Sequence, residues 1–387
     1  MPGPSKPILP WPVLGVGVLV AIGAAVIAFV QPDLGGGGGG SSSPTPAPTA
    51  TLGPISGTIG YITPEGNFAL MDGNGGHQQT LTSDGVAKSF VWAPDGSVAA
   101  VEVATGSQTG VRGVRPDGSV SFNLQRASGP LWSPDGKRLA FTGENAVNVY
   151  DAAGALERTF DSAVRPTWSP DGNSIAFLKL AADGKAVPVI GDLATGEETP
   201  LAQGIEATEP VYPIAWHPAG SVIAYRNHLY EPSTGNVTEL PGTAIFWSPN
   251  GKTLLIAKDY SPSDRATPGL LLDAAEGFKT IIGLSIRPSA EDIPAQLFIQ
   301  KWTAWTHDGR YLFYLDPEQD RNFVRIYDTQ MVTQDRHANI AGERPDISPD
   351  GKAAAFMYQG KVWVVPMDVS ALAAVASGGY PAWRPGP

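Results

Sequence analysis

Side chains able to do acid–base, nucleophilic or metal chemistry are thinly spread along this chain. Its five histidines, His77, His217, His228, His307 and His337, are scattered, and none stands at metal-ligand spacing with another. Cysteine is absent, which removes disulfides, thiolate metal sites, cysteine nucleophiles and cysteine-linked lipids. No Gly-x-Ser-x-Gly elbow supplies a hydrolase serine. Carboxylates are plentiful, but they come singly in turns, and no DxDxDG loop gathers several around one ion. The most calcium-like run, DPEQDRN from Asp316 to Asn322, reads as a solvated loop. NVT at Asn236 is a formal glycosylation sequon. These residues predict no catalytic, cofactor-binding or metal site.

What such side chains would need is a scaffold to bring them together, and the composition narrows its class. The chain has 387 residues, 42% of them apolar, enough for a sizeable core. Its 46 glycines and 36 prolines exceed a fifth of the residues, which favours turn-rich β structure or low complexity. The formal net charge of −11 argues against a nucleic-acid partner, which would call for a basic face. It suits a solvated extracytoplasmic domain.

Low complexity is confined to the N-terminus. No charged residue falls between Pro7 and Pro32, and the run Val13–Val30 is wholly apolar or small. With its flanks, at roughly 1.5 Å per residue, it is long enough to cross most of a ~30 Å hydrocarbon layer. Trp11 sits where an interfacial aromatic belongs. The reading is a short cytoplasmic N-terminus (1–11), a transmembrane helix (12–31) and a linker (32–55). A cleaved signal peptide is the alternative; no Ala-x-Ala site followed by a mature start supports it. Lys6 and the amino terminus place the N-terminus inside and the bulk of the chain outside a cell membrane crossed once. The linker's six glycines make a flexible coil, and its Pro-Thr-Pro-Ala-Pro part stiffens toward polyproline II.

Residues 56–387 form a repeat array. WAPDG at Trp92 recurs as WSPDG at Trp132 and Trp168, WHPAG at Trp216, WSPNG at Trp247, WTHDG at Trp305, ISPDG at Ile347 and WRPGP at Trp383. After each complete motif comes a short apolar strand such as NSIAFLK or KTLLIAK. Proline presets φ for the first central turn position, Asp or Asn bonds the backbone two residues on, and Gly takes positive φ. Asp95, Asp135, Asp171 and Asp350 are therefore expected to be turn residues, and the indoles to pack between neighbouring sheets. A second landmark alternates with the first: an apolar strand running into an acidic turn, as at Asp72, Asp151, Asp192, Glu231 and Asp273. Each unit then holds two hairpins, and repeated four-stranded units of about 40 residues describe a β-propeller. The array opens on the second landmark and closes on the first. The Trp383 strand is therefore expected to pair with TIGYIT, residues 58–63, and close the ring. Eight landmarks of each kind predict eight blades; seven follow if the long Trp247 or Trp305 unit is miscounted.

The WSPDGxxIAF units, with their MDxxG and LT segments, resemble the TolB-like propeller repeats, relatives of the WD-type repeats. The resemblance covers residues 56–387 and implies an all-β, four-stranded-blade propeller. The chain departs from TolB in lacking its separate N-terminal α/β domain and in carrying a membrane anchor. Relatives also occur as the propeller of prolyl-oligopeptidase-type enzymes, where a hydrolase domain follows; here the chain ends at the last blade.

One unit is irregular. Between Trp247 and Trp305 the spacing rises to 58 residues, with the excess in 258–268 and 285–300. Long loops on a rigid ring are common places for recognition, although a tolerated insertion costs little. Lys258, Asp259, Tyr260, Asp264 and Arg265 are the candidate recognition residues. The expected function is a non-catalytic binding, scaffold or sensor module for a partner protein, an envelope polymer or a small ligand, needing no cofactor. The rivals are a lyase or hydrolase acting on glycans or peptides at the channel mouth, and a plain structural spacer.

Overall fold

The computed structural model describes residues 52–143, 145–202, 205, 213–257, 269–284, 303–318, 321–330, 333–338 and 342–386. The expected transmembrane helix and all but the last residues of the linker lie outside them. No helix among the described residues is long and apolar enough to cross a membrane.

Among the described residues thirty-two strands form eight four-stranded antiparallel sheets, so the fold is an eight-bladed propeller. The second strand of each unit explains the packing. Ser174–Leu180 and Thr253–Ala257 read as nearly continuous apolar runs because both faces of each sheet lie against a neighbouring sheet. The fourth strands form the outer rim, and two of them, Glu198–Pro200 and Asn236–Glu239, are exposed throughout. The first strands face the axis. Numbered by these inner strands, blades 1 to 8 begin at Ala87–Trp92, Ser128–Trp132, Ala163–Trp168, Ile214–Trp216, Thr243–Trp247, Thr303–Trp305, Glu343–Ile347 and Gly379–Trp383.

The core is a circuit of clusters between blades. Ile62, Phe68 and Leu70 of blade 8 meet Phe90, Trp92 and Val101 of blade 1; Val111 and Phe122 of blade 1 meet Trp132 and Phe141 of blade 2. Similar clusters join every later pair, ending with Ile59, Met71 and Trp383 of blade 8 against Val362 and Val364 of blade 7. Ring contacts such as Phe68–Phe90, 4.7 Å between centroids, and Phe68–Trp92, 5.7 Å, lock these seams. The indoles do pack between sheets: Trp168 donates its Nε1–H to the carbonyl of Leu131 in the preceding blade at 2.9 Å.

Blade 8 is made from both ends of the described chain. The inner strand Gly379–Trp383 pairs with Thr58–Ile62, in the register Ile59 to Trp383 and Gly60 to Ala382. Phe68–Asp72 and Gln79–Thr80 complete the sheet. Every blade therefore has two neighbours.

The repeated turns follow the expected geometry and add a device not expected. At Ser133-Pro-Asp-Gly, the Gly136 N–H donates to the Ser133 carbonyl at 2.9 Å, and Gly136 has φ +69°. Asp135 accepts the Lys137 N–H. The serine hydroxyl meanwhile donates to Asp135 at 2.7 Å and accepts the Arg138 N–H at 2.9 Å. Ser169, Ser248, Thr306 and Ser348 repeat this double bond at their own turns, with Asn250 standing in for Asp at Ser248. Ser133, Ser248 and Ser348 are wholly buried, so each hydroxyl must be satisfied internally. In blade 1, where Ala93 replaces the serine, Ser97 bonds Asp95 instead. Ser248→Ala should cost roughly 1–3 kcal/mol, because it strands the buried Thr253 N–H. Ser248→Thr should retain most of the stability, as Thr306 does at its own turn. Urea unfolding of the two variants against the parent measures both.

Candidate functional site

The antiparallel order gives the ring two unlike faces. Inner strands end, and second strands begin, at the WSPDG turns; the acidic turns between third and fourth strands fall on the same side. This is the turn face. The hairpins between second and third strands, and the crossings from one blade to the next, open on the opposite face. The chain enters on the turn face: Gly57 packs on the Trp383 ring, and Arg384 N–H donates to the Thr58 carbonyl at 2.8 Å.

All the predicted repeat residues come together around the turn face. Trp92, Trp132, Trp168, Trp247 and Trp383 are buried, and Trp216 and Trp305 half-buried. Each turn touches the next around the ring. Arg384 Nε donates to the Gly96 carbonyl at 2.7 Å, His217 Nε2 lies 3.2 Å from the Gly251 carbonyl, and Asn250 Nδ2 donates to the Asp308 carbonyl at 2.8 Å. Turn hydrogen bonds, chiefly from Ser97 and Ser169, hold the Asp95 and Asp171 carboxyls below their usual range. Asp135 also lies low, its burial outweighed by its bonds from Ser133 and Lys137. These carboxylates are engaged in folding the backbone.

The histidines remain apart. His77 contacts Asp72 at 2.6 Å on the turn face, and this contact raises its pKa. His217 accepts the Ala219 N–H and sits edge-on to Trp247, 4.7 Å between centroids. His228 lies beside Tyr230, and His307 is exposed in its turn. His337 is in the strand Thr333–Ala338. Among the described residues no three His, Asp or Glu side chains gather as an ion-holding group. The described part of the run Asp316–Asn322 is strand rather than loop. Residues 316–318 and 321–322 are paired strand, Glu318 against Arg321 and Asp316 against Phe323, because a long hairpin continues the ladder of blade 6 through them. Asn236 opens the exposed strand Asn236–Glu239. The predicted recognition residues Lys258, Asp259, Tyr260, Asp264 and Arg265 lie outside the described residues. Their flanking strands, ending at Ala257 and resuming at Gly269, end on the opposite face, as do those flanking 285–300.

Two features of the site were not read from the sequence. On the turn face, a cavity of about 870 Å³ lies between blades 6 and 7 and the entering segment Gly53–Ser56. Tyr311, Ile326 and Met367 give it apolar walls. Its charged groups are Asp350, Lys352, Asp368 and the Arg310–Asp328 pair, joined by three N–H···O contacts of 2.8–3.3 Å.

At the opposite mouth the inner strands are bulged. Register breaks fall at Gly129-Pro130, Arg165-Pro166, Arg344-Pro345 and Tyr380-Pro381, and the residue before each proline has φ between +54° and +61°. Proline suits this place because an inner strand has no partner on its axial side and the bulge needs no ladder donor. Left-handed backbone is uncommon for Arg and Tyr and concentrates at functional sites. Arg344 lies over the Tyr380 ring of the next blade, 4.4 Å from its centroid. Arg165 is half-buried, and desolvation lowers its pKa. Its neighbour is Tyr225, and among the described residues it has no salt bridge or hydrogen bond. A repeated x-Pro two residues before the repeat Trp or Ile was the available sequence signal.

On the channel wall of blade 7, Asp346 occupies the position held by Val91, Leu131, Thr167, Ala215, Phe246, Ala304 and Ala382 in the other blades. Its Oδ2 accepts the Trp383 N–H at 2.7 Å and so ties blade 7 to the closing strand. A little of its surface stays open to the channel, yet protein surrounds the carboxyl, and desolvation pushes its pKa up to about 6. The N–H groups of Trp383 and Ile347 and the nearby His307 pull the other way and do not prevail.

No family model matches this chain, and no curated protein matches it. Solved structures do share its fold. A eukaryotic initiation factor is 13% identical, with TM-score 0.57, over 86% of this chain and 99% of that one. An oligogalacturonate lyase in complex with manganese is 15% identical, with TM-score 0.53, over 85% and 96%. TolB from Acinetobacter baumannii is 14% identical over 73% and 80%, but at TM-score 0.37 it adds nothing to the fold already described. Identities this low show architecture alone.

The raised pKa of Asp346 sets a sign for pH dependence. Its ordinary value is 3.8 and its folded value about 6, so its contribution to stability is complete below 3.8 and is lost as pH rises through 6. Asp346→Asn retains an oxygen for the Trp383 N–H and cannot ionise. The stability of this variant minus that of the parent should grow between pH 4 and 6, by at most about 1.4 kcal/mol per pH unit, and then level off. Urea unfolding at pH 4, 5, 6 and 7 measures the difference; a difference that shrinks with pH would refute the assignment.

Proposed function

We propose that this chain is a TolB-like propeller tethered to a membrane through residues 12–31, held on the extracytoplasmic side, and used as a binding, scaffold or sensor module without catalysis of its own. The supporting observation is the placement of its parts. The chain enters the ring on the turn face, whose carboxylates fold the turns, while the strands flanking both long connections of blade 5 open on the far face. Entry into the ring on one face, with the strands that lead to the long connections ending on the other, supports a module that presents a binding surface.

One observation favours the enzyme reading. Asp346 is a channel-wall carboxyl with a perturbed pKa beside His307, the kind of group that serves as an acid or base. Its bond to the Trp383 N–H gives it a structural task as well.

Affinity capture from the native membrane separates the readings. With the full-length chain as bait, a specific partner should be retained; with residues 258–268 replaced by a two-residue turn, it should be lost. Equal recovery by both baits would remove that loop from recognition. Turnover of glycan or peptide substrates, abolished by Asp346→Asn, would establish the enzyme instead.

A further inference from the structure

We propose that the channel mouth opposite the turn face binds an acidic polypeptide segment, held by Arg165 and Arg344 from opposite sides of the ring with Lys88 between them. The inference rests on the binding-module reading and names its ligand. Arg165 and Arg344 occupy the same bulge position of blades 3 and 7, four blades apart in a ring of eight, and so stand on opposite sides of the axis, Arg344 over the Tyr380 ring and Arg165 near Tyr225. Lys88 falls in the register break of blade 1, one residue farther from its Trp than Arg165 stands from Trp168, and a quarter-turn from each arginine.

None of the three has an ion-pair partner among the described residues. For exposed Lys88 that means little. For Arg165 it is costly, because a half-buried guanidinium gives up water and receives no acceptor in return. Pre-proline backbones in left-handed conformation hold both arginines at this place. Carboxylates are near, but Glu102 is engaged by Ser89 Oγ at 3.0 Å, and it and Glu343 approach Tyr380 rather than pairing with Arg344. The mouth thus carries three cations without ion-pair partners among the described residues, on a chain whose formal net charge is −11.

Ligand class follows from spacing and from the wall. One small carboxylate cannot reach cations on opposite sides of the channel; a chain bearing several can. Inner strands have a strand partner on one side only, so main-chain N–H and C=O groups face the axis at a two-residue repeat, matched to an extended peptide. The molecule already displays the contact: the Asp346 carboxylate on the Trp383 N–H is an acidic side chain docked on an inner strand.

The test is fluorescence anisotropy of labelled hexaglutamate titrated with the full-length chain in neutral detergent at low ionic strength. Binding should weaken with added salt, and about tenfold in each of Arg165→Gln and Arg344→Gln. Arg165→Lys should restore part of the affinity, and Lys137→Gln on the turn face should change nothing. The thermal midpoint of Arg165→Gln should not fall, since an uncompensated charge is removed; this separates a ligand role from a structural one. Absence of binding, or binding indifferent to both arginine variants, overturns the site. Preference for an oligogalacturonide or for tripolyphosphate overturns the peptide assignment. Captured partners that are retained by Arg165→Gln but lost with the 258–268 loop would sink this inference and leave the binding module standing.

Discussion

A radial stack of sheets is stable only if its last sheet meets its first. The eight blades bury both faces against neighbours, and an open stack would leave two apolar faces and a free edge exposed to water. Everything else in this molecule depends on the seam in blade 8. There the Trp383 strand pairs with Thr58–Ile62, and the Asp346 carboxylate reaches across from blade 7 to the Trp383 N–H. The seam couples the two ends of the propeller, so unfolding either end opens the ring. A charged group with a raised pKa at such a point makes closure sensitive to protonation, at a position where every other blade uses an uncharged residue.

The turns serve the same constraint. A hairpin alone needs Pro, Asp and Gly; here a buried Ser or Thr hydroxyl adds two further hydrogen bonds and fixes the angle at which strand follows strand. Because each turn touches the next, small errors in one blade would accumulate around eight. The repeat residues are thereby committed to structure, which explains how a chain rich in turn carboxylates can have them engaged in its own backbone.

Side chains free to meet a ligand sit where the repeat is least regular. The inner-strand bulges interrupt the ladder at the far mouth and place Arg165, Arg344 and Tyr380 around it. The entering segment, by contrast, runs along the turn face and walls a cavity beside the Arg310–Asp328 pair. Described residues enter the ring on one face, and Arg165, Arg344 and Lys88 stand near the other without ion-pair partners among the described residues.

The sequence by itself determined the repeat, the two alternating landmarks, the number of blades and the closure of the ring. Those features rest on local turn chemistry and on the two-residue period of strands, both written in short contiguous stretches such as WSPDGNSIAF. It did not show that the ladder of blade 6 runs on through 316–318 and 321–322, since strand pairing there is set by the blade and not by local polarity. Only the tertiary structure decided that Arg165 and Arg344 stand in opposite blades, that Asp346 meets Trp383, and that Gly53 to Ser56 stand beside Arg310 and Met367. These pairings join residues far apart in the chain, and their distances and burial arise when the ring closes. No local pattern encodes the desolvation of a guanidinium or a carboxyl; that depends on which blades surround it.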